Sequence, residues 1–276
     1  MAKEQLNKGK TLKIKSRNPK IEFDKLKLFF RDKYVIDVPS ADGIIVMTQP
    51  SLGDIVSIGE KKYYNTLNLF TTNTTAFRLQ LWEKGMDWNK VSDFELFMRL
   101  ISSADKEVYQ TFLPDIDFTD FGIYEKKLPD TEDTVKVLYD INNRIEINEE
   151  VYFHISQYLR AVFNINPDEK LTNDSIMKKW FIEKDKRELK NLEFKINNGD
   201  FDDNNGLLPL ISACCNHPGF KYRSDSLRQL GIFQFYDSVK RLQVYESCTA
   251  LQKGMYSGMI DGSKIKADEY NFMKPI

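Results

Sequence analysis

Between Ile232 and Met255 the apolar positions fall at Ile232, Phe235, Val239, Leu242, Tyr245, Cys248, Leu251 and Met255. Every step is three or four residues, the spacing of one helix face. The pattern predicts a long helix that stops at Tyr256-Ser-Gly258. A stripe of that length needs cover, so this helix is expected to be the element against which the others pack. Phe233 and Tyr236 extend the apolar surface beyond the single buried face.

The same spacing predicts shorter helices elsewhere. One carries Tyr63, Leu67 and Phe70, and another Phe77 to Trp82, ending near Gly85. Ser92-Asp-Phe-Glu95 has the capping-box pattern ahead of Leu96, Phe97, Leu100 and Ile101. Asp105 opens a short helix that ends before Pro114. Asn148 caps a helix whose face is Val151, Ile155, Tyr158, Leu159, Val162 and Phe163. A further helix starts near Thr172 or Asn173 and runs to Ile196, and a short, largely buried one spans Leu207 to Cys215. Period-two patterning is confined to three places. Tyr34-Val-Ile-Asp-Val38 and Gly43-Ile-Ile-Val-Met47 flank the turn signal Asp42-Gly43, Thr134 to Tyr139 and Arg144 to Ile147 flank Asp140-Ile-Asn-Asn143, and Thr11 to Lys15 alternates briefly.

The fold class that follows is mainly α with small β elements (α+β): a multi-helix bundle with a short N-terminal β element and a β-hairpin near 134–147. The expected organisation is a flexible basic arm at 1–20, an N-terminal mainly helical region at 21–112, a β-hairpin insertion at 113–147 and a C-terminal helical region at 148–276.

Composition narrows the function classes. With 40 basic against 41 acidic residues, no global field draws the chain to nucleic acid. Basic charge is concentrated in the arm, where Lys3, Lys8, Lys10, Lys13, Lys15, Arg17 and Lys20 face only Glu4. Nineteen Phe and thirteen Tyr supply a packed interior. Three cysteines, two of them adjacent, do not make a disulfide framework and read as reduced thiols. No apolar run reaches bilayer length, and Met1-Ala-Lys-Glu-Gln lacks a secretory core, so an intracellular protein is expected.

Candidate chemistry is thin. Cys214-Cys215-Asn-His217 brings two thiols and an imidazole together, but lacks the paired spacings of a zinc site, and buried thiols on an apolar helix fit better. Asp200 to Gly206 resembles a calcium loop, yet its sixth position is Asn205 and its twelfth Ile211, not the required Gly and Glu. Asp115-Ile-Asp117 with Asp120 could hold a divalent ion for a nucleic-acid enzyme, although aspartates cluster at turns without one. Phe220-Lys-Tyr-Arg223 mixes rings and cations as a base-stacking site would. His154 sits inside an amphipathic segment and reads as a packed or surface side chain. No phosphate-loop, metalloprotease or nucleophile-elbow motif occurs. The reading is of a protein with no catalytic, cofactor or metal site.

Several segments together resemble the tail-assembly-chaperone-like proteins of tailed bacteriophages of Gram-positive bacteria. They are Met47-Thr-Gln-Pro-Ser-Leu-Gly-Asp-Ile55 with Ile58-Gly-Glu-Lys, Leu81-Trp-Glu-Lys-Gly-Met-Asp-Trp88 with Val91 to Phe97, Ile232 to Arg241, and Tyr256-Ser-Gly-Met-Ile-Asp-Gly262. None is a catalytic signature. The resemblance implies a non-enzymatic role in tail morphogenesis, binding the phage tape measure protein or other tail proteins in the host cytoplasm. A structural place in the tail or baseplate is the alternative, and self-association is left open. A tape measure is a long helix with apolar stripes, and a protein rich in Phe, Tyr and Met can offer grooves to cover them. Phe233, Tyr236, Tyr245 and Met255 are the expected partner contacts. Charge at Tyr236 or Met255 is expected to abolish binding while the fold survives.

Overall fold

The computed structural model describes residues 21–38, 43–127, 134–199 and 206–275. The basic arm, Asp42 of the first turn signal and the acidic loop 200–205 lie outside them. Among the described residues the protein is mainly helical with two small antiparallel sheets, the α+β class expected.

Asp24 caps the short helix α1 (Lys25–Phe29) by accepting from the Leu26 amide at 2.8 Å. Strands β1 (Tyr34–Asp37) and β2 (Ile44–Met47) pair with Tyr34 opposite Met47, which turns Ile36, Ile45 and Met47 inward. Helix α2 (Leu52–Ile58) opens with a full capping box between Ser51 and Asp54, and α3 (Glu60–Thr71) follows after Gly59. Then come α4 (Arg78–Glu83), α5 (Asp93–Leu100) and α6 (Lys106–Tyr109). Ser92 accepts from the Glu95 amide as its motif predicts, but the Glu95 carboxylate reaches Arg99 at 2.7 Å. The ion pair with an exposed cation one turn on takes the place of the reciprocal half of the box.

The expected hairpin is one side of a three-stranded sheet, ordered β3 (Phe121–Lys127), β4 (Thr134–Asp140), β5 (Ile145–Ile147). Its β4–β5 turn is held by Asp140, whose carboxylate accepts from the Asn142 and Asn143 amides. The sequence pattern did not disclose β3, because this edge strand is solvent-facing from Ile123 onward and carries no inward alternation.

Helix α7 (Glu149–Phe163), capped by Asn148, buries Val151, Tyr152, Ile155, Ser156, Tyr158, Leu159, Val162 and Phe163. It therefore holds the place expected for the long C-terminal helix. That helix, α11 (Ile232–Tyr256), buries only Ile232, Phe235 and Cys248. Periodicity marks which face is apolar, whereas cover depends on where neighbours end. Helices α1 and α7 flank the first part of α11, and its later turns are met mainly by the chain's own C-terminal return. Between them, α8 (Ser175–Asn197) buries Ile182 alone, and α9 (Leu207–Asn216) buries only Leu207 and Cys214, fewer than the sequence suggested. The short α10 (Ser224–Gln229) leads into α11.

One large apolar core draws on residues from Leu28 to Phe235. A satellite core of Leu79, Leu81, Trp88, Leu96 and Ile182 fixes the first half of α8 to α4. The C-terminal helices are stitched to the N-terminal ones by main chain. Leu52 N–H donates to Leu230 O at 2.9 Å, and Ile232 N–H to Pro50 O at 3.2 Å. The Arg31 guanidinium closes the same seam on Gln229 O and Gln49 O.

This seam brings α2 and α10 so close that a β-carbon on Gly53 would lie 2.7 Å from the Arg228 carbonyl oxygen. Gly53→Ala improves intrinsic helix propensity by about 1 kcal/mol, but the clash is with main chain. We expect a net loss of about 1–2 kcal/mol in thermal unfolding. A stabilised variant would show that α10 yields freely.

Candidate docking site

Two adjacent grooves run along the first half of α11 and share Phe29 and Asp237 as common walls. The first, about 660 Å³, lies between α11, the end of α7 and the α1 lead-in, with Phe23, Leu26, Val162, Phe233 and Tyr236 among its lining. The second, about 510 Å³, is bounded by Phe220, Tyr222, Leu242, Tyr245 and Phe272. Polar residues are interspersed with the apolar ones: Glu22, Lys25, Asn164, Asp237 and Lys240 in the first, Lys221, Asp237, Ser238 and Arg241 in the second.

Each wall has a local cause. Asp24 starts α1 where Phe29 reaches α11. Gly258, at φ 74°, reverses the chain after α11, and the return runs back along the helix. Arg241 holds the end of that return, donating to Phe272 O at 2.7 Å and Lys274 O at 2.9 Å. This sets the Phe272 ring against Tyr245, centroids 6.1 Å apart and near perpendicular. His217 fastens the loop before Phe220. Its Nδ1 accepts from the Gly219 amide, leaving Nε2–H to donate to Glu246 at 3.0 Å. Glu60 of α3 supplies the α9 start, accepting from the Leu207 amide at 2.7 Å.

Of the expected contacts, the fold brings three to these grooves. Phe233 is half-buried in the first. Tyr236 stands beside it with its hydroxyl 2.8 Å from that of Tyr64. Burial pushes both phenols above their usual range, Tyr64 further than Tyr236. A charge at Tyr236 would thus strike a part-buried hydroxyl pair, so it tests the fold as much as binding. Tyr245, 49% exposed, is the open aromatic of the second groove. Met255 lies roughly 15 Å further along the helix, half-buried, with its sulfur facing Gly262 of the return. Phe29 and Phe272 line the grooves without having carried a sequence signal. Phe220 and Tyr222 did stand out as an aromatic–basic cluster, and the fold turns their rings toward α11.

The remaining candidates serve local structure. Asp117 accepts from Lys106, the Thr119 amide and hydroxyl, and the Tyr109 hydroxyl. The Lys106 bond leads in holding its carboxyl far below the usual range. Burial, then Asp117, pushes Tyr109 up to about 12. Cys214 is buried and Cys215 exposed. His154 Nδ1 sits 2.6 Å from the Tyr34 hydroxyl. Among the described residues, no three His, Cys, Asp or Glu side chains converge as a metal site would require, and no helix is long and apolar enough to cross a membrane.

The fold is mainly helical, with two grooves beside α11 lined largely by aromatic and aliphatic side chains. Residues 203–276, which contain α9, α10, α11 and the return, match the family model described as YomV second domain, and are thus similar to a phage-derived family. No curated protein and no solved structure matches the chain.

Proposed function

We propose that the protein is a non-enzymatic phage tail-assembly factor that receives an apolar helix stripe of a tail protein, the tape measure foremost, in the grooves beside α11. The observation that carries this reading is the run of large apolar side chains in two neighbouring grooves beside one helix, Phe23, Leu26, Phe233 and Tyr236 in one and Phe220, Leu242, Tyr245 and Phe272 in the other, with charged side chains between them. That is how a groove accepts an amphipathic helix through i, i+3, i+4 anchors. The phage-derived character of the segment that builds α11 supports it.

Tyr245→Glu is the informative variant, because the side chain is half exposed and belongs to the groove wall. We expect at least a tenfold loss of tape-measure binding in a co-expression pull-down, from removing one aromatic anchor, with an unchanged melting temperature. Full binding by a folded variant would sink the reading. Mass spectrometry separates the structural alternative. An assembly factor is bound in infected-cell lysate and missing from purified virions, whereas a tail or baseplate component is present there at fixed copy number.

A further inference from the structure

Helix α8 consists of two unlike halves. Up to Lys186 it is anchored, by Ile182 in the satellite core, by the Asp185–Arg78 ion pair and by Lys178 on Asp87 at 2.6 Å. From Arg187 to Gly199 every residue is exposed. A helix of such length is marginal in water without a neighbour. Yet the face used for anchoring does not end at Asp185. Ile182, Asp185, Leu189, Leu192 and Ile196 follow alternating steps of three and four, the a/d seam of a coiled coil. Leu189, Leu192 and Ile196 are 46%, 42% and 53% exposed.

The residues beside this seam indicate what covers it. With Ile182, Leu189 and Ile196 at a, the e positions are Lys186 and Glu193, and the g positions are Glu188 and Lys195. In a parallel pair of copies, g of one heptad meets e of the next, and Glu188 would face Glu193 of the partner subunit. In an antiparallel pair, e meets e and g meets g. Lys186 then faces Glu193 of the partner subunit, and Glu188 faces Lys195 of the partner subunit. Two-fold symmetry makes each contact twice. In the same register Leu189 packs on Leu192 of the partner subunit, also twice. Lys186 and Glu188 now hold only intrahelical partners, Glu183 at 3.3 Å and Lys184 at 3.6 Å, both solvent-exposed pairs that exchange readily. Among the described residues, Glu193 and Lys195 make no ion pair.

We infer that the distal half of α8 is a self-association site, which pairs antiparallel with the same segment of a second copy. The charge pattern is self-complementary in that orientation and repulsive in the other, and this selects the second copy over an arbitrary helix. The surface is separate from the grooves beside α11, so failure of either proposal leaves the other standing.

The test is sedimentation equilibrium of the full chain and three variants. Wild type should show a concentration-dependent monomer–dimer equilibrium. Glu188→Lys and Lys195→Glu should each weaken it roughly tenfold by setting like charges opposite each other twice. The double variant E188K/K195E should restore it. Leu192→Asp should give monomer with unchanged thermal unfolding, since the residue is exposed and belongs to neither apolar core. Strengthening by Glu188→Lys would overturn the antiparallel orientation, because it relieves the parallel clash. A dimer indifferent to Leu192→Asp would place self-association elsewhere. A wild type that stays monomeric at its highest concentration would overturn the inference and leave the seam to a helix of another chain.

Discussion

Phe70→Ala should cost about 4 kcal/mol of folding stability, a large share of the roughly 5–15 kcal/mol that holds a typical domain. Phe70 is wholly buried in α3. Its ring lies 5.1 Å from Phe97, 5.1 Å from Phe112, 5.7 Å from Phe118 and 6.5 Å from Tyr109. One side chain thus joins α3 to α5, to α6 and its exit, and to the approach to β3. The neighbours are rigid rings that also pack on each other, as Phe97 does on Phe118 and Tyr152. They cannot collapse into the space that truncation leaves, so the cavity penalty adds to the lost transfer energy. The measurement is urea unfolding, where the midpoint should fall with little change in slope. Phe70→Leu fills most of the volume and should lose markedly less. A loss under about 1 kcal/mol for Phe70→Ala would show that the cluster rearranges, against the packing described.

Asp185→Ala should cost about 3 kcal/mol, the penalty for leaving one member of a largely buried ion pair without its partner. Arg78 is buried on α4, its guanidinium gripped by both Asp185 oxygens and lying 4.8 Å from the Phe181 ring. Removal of the carboxylate strands a cation that is largely shielded from water. Removal of both charges should be far milder. The double variant R78M/D185A is expected to recover about half of the loss or more, since paired buried charges contribute little net stability over apolar packing. A double-mutant cycle by chemical denaturation isolates this coupling. Additive losses would mean that Asp185 acts through something other than Arg78. The pair also fixes where the anchored half of α8 ends, so Asp185→Ala should increase proteolysis between Arg187 and Gly199. Gly53→Ala, by contrast, tests a backbone approach and should leave that segment's cleavage unchanged.

The ends of elements were legible because their signals are local. Ser92, Asp105 and Asn148 each cap the helix that their positions predict, since a side-chain oxygen needs only the next two or three amides. The β1–β2 pair and the β4–β5 hairpin were visible for the same reason. Strand β3 was not, because an edge strand with a solvated face has no alternation to display. The docking grooves were half visible. Phe233, Tyr236 and Tyr245 follow from helix periodicity, but Phe29, Phe220 and Phe272 reach α11 through contacts distant in the chain.

What the sequence determined by itself is the fold class, the position of the longer helices and several of their caps, and the apolar faces of α8 and α11. All of these rest on interactions within a few residues. Which of those faces become covered was decided only by the tertiary structure. Both helices carry a seam at three-and-four spacing, yet each is buried for only part of its length, because burial depends on where the neighbouring elements stop. α7, a shorter helix with a similar pattern, is enclosed from several sides and forms the centre. The fold leaves the distal seam of α8 and the flanks of α11 open, and these are the surfaces through which the protein is proposed to act.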